Sequence, residues 1–304
     1  MISVLLSVYK EKNDYINQSI LSILNQTYGD FELIIIIDNP SNEDAISLIK
    51  DLASKDKRIH FYINEENMGL VKSLNRALSY AKGEYIARMD ADDMSMPNRF
   101  EICKEYLENN NLDLIGGVYE HMDEEGHVVP NSRTYGYSPS QVEKIIKYTN
   151  IIPHPTWFGK KEVFDSLNGY RLVKYAEDYD FLLRACEKGY RLGVIDEKVL
   201  NYRINTTGIS WSNLYKQFLV SRYLSKNHEK LNELSMEDIN ERSLDKYSEK
   251  KEKKYVRSEK LFLEARNQGK VKKLFSLLKA YFGSSDYRYK MGLMMKKRKD
   301  MKRA

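Results

Sequence analysis

The chain has 304 residues, of which 42% are hydrophobic and 31% charged, and a formal net charge of +5. This is enough apolar material for one large domain, alone or with an appendage, beneath a charged surface. No apolar run approaches the ~20 residues of a bilayer-spanning helix, Ile2–Val8 lacks the flanks of a secretory leader, and Cys103 and Cys186 form neither a CxxC pair nor a metal-ligand spacing, so the expected home is a reducing cytosol.

In chain order, Ile2–Val8 reads as a nearly continuous apolar strand. A helix follows over Tyr15–Leu24, with Ile16, Ile20, Ile23 and Leu24 on one face. Glu32–Ile37 is a second strand, apolar from Leu33 onward, as expected when helices cover both faces of a sheet. A helix near Glu43–Ser54, a strand at Ile59–Ile63, a helix at Leu70–Ala81 and a strand at Tyr85–Met89 continue the series. Strands alternating with helices predict a parallel α/β sheet with right-handed crossovers. Ligands of such sheets sit beyond the carboxyl ends of the strands, so the functional loops begin at Tyr9, Asp38, Asn64 and Asp90. A strand at Asp113–Tyr119, a hairpin arm at Gly126–Pro130, helices at Ser138–Tyr148, Lys161–Leu167 and Ala176–Lys188, and strands at Arg191–Ile195 and Val199–Ile204 complete this part. From about Trp211 the chain turns to long, charged helices.

Met89-Asp90-Ala91-Asp92-Asp93 is the sharpest chemical feature. Adjacent carboxylates repel one another unless a cation lies between them, and at a strand end they make a hard oxygen site suited to Mg²⁺ or Mn²⁺. A solvated acidic turn is the alternative. Glu177-Asp178-Tyr179-Asp180 sets three carboxylates at a helix start, where either the helix dipole or a general base would account for them.

Gly83-Glu84-Tyr85-Ile86-Ala87-Arg88-Met89-Asp90-Ala91-Asp92-Asp93 with Pro97-Asn98-Arg99-Phe100 resembles the DXD segment of family 2 glycosyltransferases, which share the GT-A fold. Ser3–Tyr9 resembles the family's first strand and nucleotide loop, and Ser19–Tyr28 the helix after it. Asn67, Gly69 and Asn75 fit its N-x-G spacing, and Ala176-Glu177-Asp178 its late acidic motif. The resemblance covers roughly Met1 to Asn205 in order. It implies a Rossmann-like, mostly parallel α/β sheet flanked by helices and an inverting transfer of sugar from a nucleotide-diphosphate donor, UDP-linked by preference.

In roles, the resemblance implies Asp178 as general base, with Glu177 beside it. Asp92 is implied as the direct ligand of a divalent Mn²⁺ or Mg²⁺, Asp90 as a contact to the ribose or to metal-bound water, and Asp93 as support. Asp38 would bind the base, with Tyr9 stacked on it and Ser7 nearby. His154, in Ile152-Pro153-His154-Pro155-Thr156, falls in a segment beside the acceptor, although a histidine between prolines is also a common structural device. Trp157 and Phe158 read equally as core or as a sugar-stacking platform. The sequence departs from the family at Ile37-Asp38-Asn39-Pro40, where two aspartates and Gly-Ser are usual.

The charge is uneven. Lys270 to Ala304 holds twelve basic residues against two acidic ones, a balance of +10 that leaves the rest near −5. Val271, Leu274, Leu278, Tyr281 and Phe282 recur at helical spacing among lysines, and Met291–Met295 precedes Lys296–Lys299. A basic amphipathic helix of this kind predicts attachment to an anionic membrane surface, with a helix packed on the body as the alternative and no nucleic acid expected. The expected organisation is a catalytic domain over 1–208 and a helical extension over 209–304. The enzyme would lie on the inner face of the cell membrane and act on a saccharide or lipid-linked saccharide of bacterial surface polysaccharide. A sugar-nucleotide nucleotidyltransferase is the rival, disfavoured because Ser7–Asp14 contains no glycine; a non-catalytic sugar-nucleotide-binding scaffold is another.

Overall fold

The computed structural model describes residues 1–130, 132–204, 213–265 and 270–301. Among them, eight strands form one sheet: β1 (Ile2–Val8), β2 (Phe31–Ile37), β3 (Ile59–Ile63), β4 (Tyr85–Asp90), β5 (Met94–Ser95), β6 (Leu114–Met122), β7 (Phe158–Lys160) and β8 (Leu192–Arg203). Their order is β3-β2-β1-β4-β7-β6-β8-β5. The β1–β2, β1–β4, β2–β3 and β6–β8 pairs are parallel. β7 runs antiparallel between β4 and β6, and β5 antiparallel to β8. The sheet is mostly parallel, as the rhythm of elements predicts.

Side chains of a strand alternate between faces, so an unbroken apolar strand needs a cover on both. Leu33, Ile35 and Ile37 join Val4, Leu6 and Val8 beneath α1 (Asn13–Leu24), α2 (Glu43–Lys55) and α4 (Arg99–Asn109). Ile34 and Ile36 join Leu5 and Ile86 on the other face, beneath α3 (Leu70–Tyr80), α5 (Pro139–Ile145), α6 (Lys161–Ser166) and α7 (Glu177–Glu187). Every residue of β2 is buried; burying one such Ile or Leu side chain is worth about 1.5–3 kcal/mol.

Differences from the sequence reading have local causes. The two strands expected between Arg191 and Ile204 are one strand, β8, whose pairing with β6 shifts register around Val118. The exposed Asp196 and Glu197 break its apolar run and make one strand read as two. Helix α4 buries Phe100, Cys103 and Leu107 on one side, a periodicity diluted by the charges between them. Trp157 and Phe158 are both 0% exposed, so they are core and not a sugar platform. The arm after β6 forms as an antiparallel bridge of Met122 with Val128, closed by Val129 N donating to His121 O at 2.8 Å.

Five further helices follow among the described residues: α8 (Leu214–Lys226), α9 (Met236–Leu244), α10 (Glu249–Glu264), α11 (Lys270–Gly283) and α12 (Ser285–Met301). Val220, Leu224, Leu231 and Ile239 belong to the same buried cluster as α7. Tyr215, Leu219, Tyr255, Ala280 and Tyr287 form a third, aromatic core. In α12, Lys296 lies 4.1 Å from the ring centre of Tyr148 and Lys297 lies 4.7 Å from that of Tyr137, so this helix returns to the body. The 208/209 boundary lies outside the described residues. No helix among them is long and apolar enough to cross a membrane.

Candidate active site

The parallel pairing of β1 with β4 sets Ser7 directly beside Asp90. From there the chain turns through Ala91 into Asp92 and Asp93, and carboxylate oxygens of the three aspartates lie within 4.8 Å of one another. Arg203, at the end of β8, pins this turn: its N donates to Asp93 Oδ1 at 2.9 Å and its Nε to Asp92 O at 2.8 Å. Nη2 of Arg203 also donates to Gln18 Oε1 at 2.7 Å, tying α1 to the same turn. Asp90 pairs with the buried guanidinium of Arg88. Asp93 is 1% exposed, yet its Oδ2 has no partner.

Negative charge exceeds what these arginines neutralise. Burial, then Asp90 and Glu11, push the Asp92 carboxyl up to about 7. Burial, then Asp90 and Asp92, raise Asp93 well above the ordinary carboxylate range, against the backbone donor of Arg203. Burial also raises Glu11, whose Oε2 accepts from Tyr9 N at 2.6 Å. A buried acceptor oxygen without a donor, among carboxylates held toward their protonated forms, is a donor set short of a cation. All-carboxylate oxygen chemistry fits a hard divalent ion. Beside Asp92 opens a cavity of ≈ 270 Å³, lined among others by Lys10, Glu11, Lys12, Tyr15 and Arg203.

The second acidic group stands at the start of α7. Burial, then Asp178, push Glu177 up to about 7. Burial raises Asp178 as well, opposed by the backbone N–H of Tyr179 and by Asn150. Asn150 Nδ2 donates to Asp178 Oδ2 at 2.8 Å, and Tyr179 N to Oδ1 at 2.7 Å. The charge of Arg88 opposes the rise of Asp92, Asp93, Glu177 and Asp178, so one buried cation acts on both acidic groups. Asp180 turns away: it is 0% exposed and paired to Arg171 and Arg184.

Asp38, at the end of β2, is 2% exposed and holds the loop after β3. Its Oδ1 accepts from Asn64 Nδ2 at 2.6 Å and Met68 N at 2.8 Å, and its Oδ2 from Gly69 N at 2.8 Å. Gly69 sits at φ +83°, a conformation that suits glycine. Tyr9 is half-buried on the loop after β1. His154 is buried against Trp157 and Tyr170, with Nε2 2.9 Å from Tyr170 Oη, and burial lowers its pKa well below the ordinary histidine value. It is therefore a neutral ring in an aromatic cluster. Asn75 fixes that cluster, donating to Tyr170 O and accepting from Tyr170 N, each at 2.8 Å.

Sequence reasoning passed over Glu11, Arg88, Asn150 and Arg203. A signal existed for Arg88, a lone charge within an apolar strand, two residues before Asp90 and so on the same face. Asn150 and Arg203 are brought in by tertiary contacts alone and carry no local signal.

A mostly parallel sheet whose strand ends gather paired acidic clusters is the architecture of the GT-A glycosyltransferases. The model of Glycosyl transferase family 2 matches residues 3–167, more than half of the chain, and the protein belongs to that family. An uncharacterized glycosyltransferase of Methanocaldococcus jannaschii is 36% identical over 231 residues, 76% of this chain and 80% of the relative. The O-antigen biosynthesis glycosyltransferase WbnJ of Escherichia coli is 35% identical over 207 residues, 67% of this chain and 80% of its own. Among solved structures, S. aureus TarS in complex with UDP-GlcNAc superposes with a TM-score of 0.61 at 19% identity, over 96% of this chain and 92% of that one. The mannosyltransferase PcManGT of Pyrobaculum calidifontis, with GDP-Man and Mn²⁺, gives 0.58 at 14% identity, over 98% and 85%. These two share the fold.

Proposed function

We propose that the protein is an inverting transferase that moves a sugar from a nucleotide-diphosphate donor, UDP-linked by preference, to a hydroxyl of a saccharide carried on a lipid. The observation that carries this reading is that one buried guanidinium, Arg88, paired to Asp90, acts on two acidic groups: Asp90, Asp92 and Asp93 at the end of β4, and Glu177 with Asp178 at the start of α7. The first would hold a divalent cation, with Asp92 as its direct ligand, Asp90 toward the ribose or a water on the ion, and Asp93 in support. An ion held there supplies positive charge to the departing diphosphate. Ser7 and the ring of Tyr9 border the nucleoside, and Oδ2 of Asp38, which among the described residues accepts from Gly69 N alone, keeps a lone pair for an N–H of the base.

Asp178 takes the proton of the acceptor hydroxyl as its oxygen bonds to C1 of the sugar. Asn150 holds the carboxylate while the bond to the diphosphate breaks on the opposite face. A single displacement inverts the anomeric centre. His154 shapes the acceptor side as a neutral, buried ring. The lipid-linked acceptor accords with the O-antigen pathway named for a relative and with the basic C-terminal helix; the enzyme then works at the cytoplasmic face of the membrane.

The reading is tested by titrating UDP and a panel of UDP- and dTDP-sugars with and without Mn²⁺, into the wild type and Asp92→Ala. Binding should need both the ion and Asp92, and the product anomer, assigned by NMR, should be opposite to the donor's. Binding unaffected by Mn²⁺ or by Asp92→Ala would refute the site assignment, and retention of configuration the mechanism.

A further inference from the structure

The C-terminal helices leave one face uncovered. Helix α11 packs inward through Ala280, which is 0% exposed, while Leu274, Phe275, Leu278 and Phe282 are 58%, 62%, 44% and 68% exposed. At 100° per residue these four fall on one side of the helix. Lys272 and Lys279 border the stripe, both exposed, and α11 contains no acidic residue. Four large apolar side chains set together in water mark a binding surface rather than scattered exposure.

At the Phe282 end the stripe runs into a cavity of ≈ 470 Å³, whose lining includes Lys250, Lys251, Lys254, Arg288 and Phe282 itself. The one acid among its described lining residues, Asp286, is already engaged by Tyr215 Oη at 2.8 Å and Arg222 Nη1 at 3.0 Å, leaving the lining cationic. Lys251 Nζ donates to Lys246 O at 3.0 Å, and Arg288 lies 5.7 Å from the ring centre of Tyr281. Lys250 and Lys254 stand exposed at the rim.

We infer that this face is a docking surface for an anionic phospholipid bilayer: Leu274, Phe275, Leu278 and Phe282 enter the acyl boundary, and Lys250, Lys254 and Arg288 receive headgroup phosphates. The charge pattern selects this occupant. A stripe on a single helix, bordered by one sign of charge and continuous with a cationic cavity, matches a surface that is apolar inside and negative at its edge. A second copy of this chain would bring the same lysines against themselves. The sequence expected the whole basic tail to serve this end. The structure assigns it to α11 and the cavity, because Lys296 and Lys297 of α12 lie over aromatic rings of the body. The surface deepens the lipid-linked acceptor reading, on which its purpose rests, but its detection does not depend on turnover.

The test is cosedimentation of the full chain with vesicles of phosphatidylglycerol mixed into phosphatidylcholine, and with phosphatidylcholine alone. Binding should occur on the anionic vesicles at about 0.1 M salt and fall as salt rises and the Debye length shortens from ~10 Å. Leu274→Ser/Phe275→Ser/Phe282→Ser and, separately, Lys250→Gln/Lys254→Gln/Arg288→Gln should each weaken it roughly tenfold or more. All six positions are exposed, and a melting curve checks that each variant keeps the wild-type fold. No binding by the full chain, equal binding to both vesicles, or binding unchanged in either variant overturns the inference. So does a concentration-dependent dimer in sedimentation velocity that the serine variant abolishes, since the stripe would then be covered by a second copy. UDP-sugar hydrolysis in solution, read on the same variants, should stay at the wild-type level. Its absence in the wild type itself would count against the transferase reading and leave the vesicle result standing.

Discussion

Arg88 shows how one side chain can order a whole site. It stands on β4 two residues before Asp90, is 3% exposed and pairs with Asp90, while its Nε and Nη1 have no partner. A buried guanidinium is tolerated when carboxylates surround it, and these carboxylates are the two groups proposed for donor and acceptor chemistry. The charge of Arg88 keeps Asp178 closer to its ionised form, against the burial that raises it. A base must be ionised to accept a proton, so turnover should climb with pH through the apparent value of the Glu177–Asp178 pair. Within that pair, burial and the charge of Asp178 push Glu177 up to about 7. Asp178→Asn should lower kcat by about 10²–10⁴-fold with little change in donor affinity. Glu177→Gln removes the neighbouring negative charge and should move the rising limb to lower pH. A kcat–pH profile of the three proteins checks both; near-wild-type turnover in Asp178→Asn would assign the proton to another group.

At the scale of elements, the residues at the start of α7 divide by where their side chains point. Asp178 faces Asn150, whereas Asp180 is enclosed by Arg171 and Arg184. Arg184 goes on to donate to Leu167 O and Gly169 O, each at 3.0 Å, and Arg171 to Leu231 O and Leu234 O, also at 3.0 Å. Asp180 therefore ties α7 to the segment before it and to the turn after α8. Asp180→Ala leaves two desolvated guanidinium groups and should cost about 3–5 kcal/mol of stability. A urea titration measures this, and donor binding by the fraction still folded should be retained. Full stability with lost turnover would instead move Asp180 into the reaction.

The same helix shows what the sequence could and could not reveal. Glu177, Asp178 and Asp180 were legible as an acidic helix start, but their division into a site pair and a structural ion pair depends on Arg171 and Asn150, neither of which local pattern places. The first half of the sheet was legible because β1 and β2 are buried on both faces and read as apolar runs. β5 and β7 were not, since a strand of two or three residues has no period to detect. β8 was misread as two strands because its exposed Asp196 and Glu197 look like a turn. The stretch Trp157-Phe158 reads equally as core or platform, because composition cannot say which face of a segment is covered.

For the molecule as a whole, the buried carboxylates after β4 and at the start of α7 should set how stability depends on pH and, if a cation binds them, on that ion. Burial and like charge raise Asp92 and Glu177 to about 7 and raise Asp93 well above the ordinary carboxylate range. In the unfolded chain these groups titrate near 4. Between about pH 4 and 7 the folded state therefore binds more protons than the unfolded one, and ∂ΔG/∂pH for unfolding is negative across that window. These three groups thus contribute a loss of stability as pH rises from about 5 to 7. Carboxylates with lowered values, such as Asp56 and Glu108, act in the opposite sense but have shed most of their influence above about pH 5. An ion that binds the ionised triad should stabilise the fold by RT ln(1 + [L]/Kd), most strongly where ionisation is otherwise most costly. Mn²⁺ should accordingly raise Tm more at about pH 7 than at about pH 5. Asp93→Asn removes one of the titrating carboxylates and keeps the hydrogen bond from Arg203 N to Oδ1, so its ion-free melting temperature should decline less across the same window. Melting curves of wild type and Asp93→Asn at both pH values, with Mn²⁺ and with a chelator, read all of this at once. A Tm indifferent to Mn²⁺ at both pH values, with parallel pH profiles for the two proteins, would mean that the strand-end carboxylates neither share a cation nor repel one another in the folded chain.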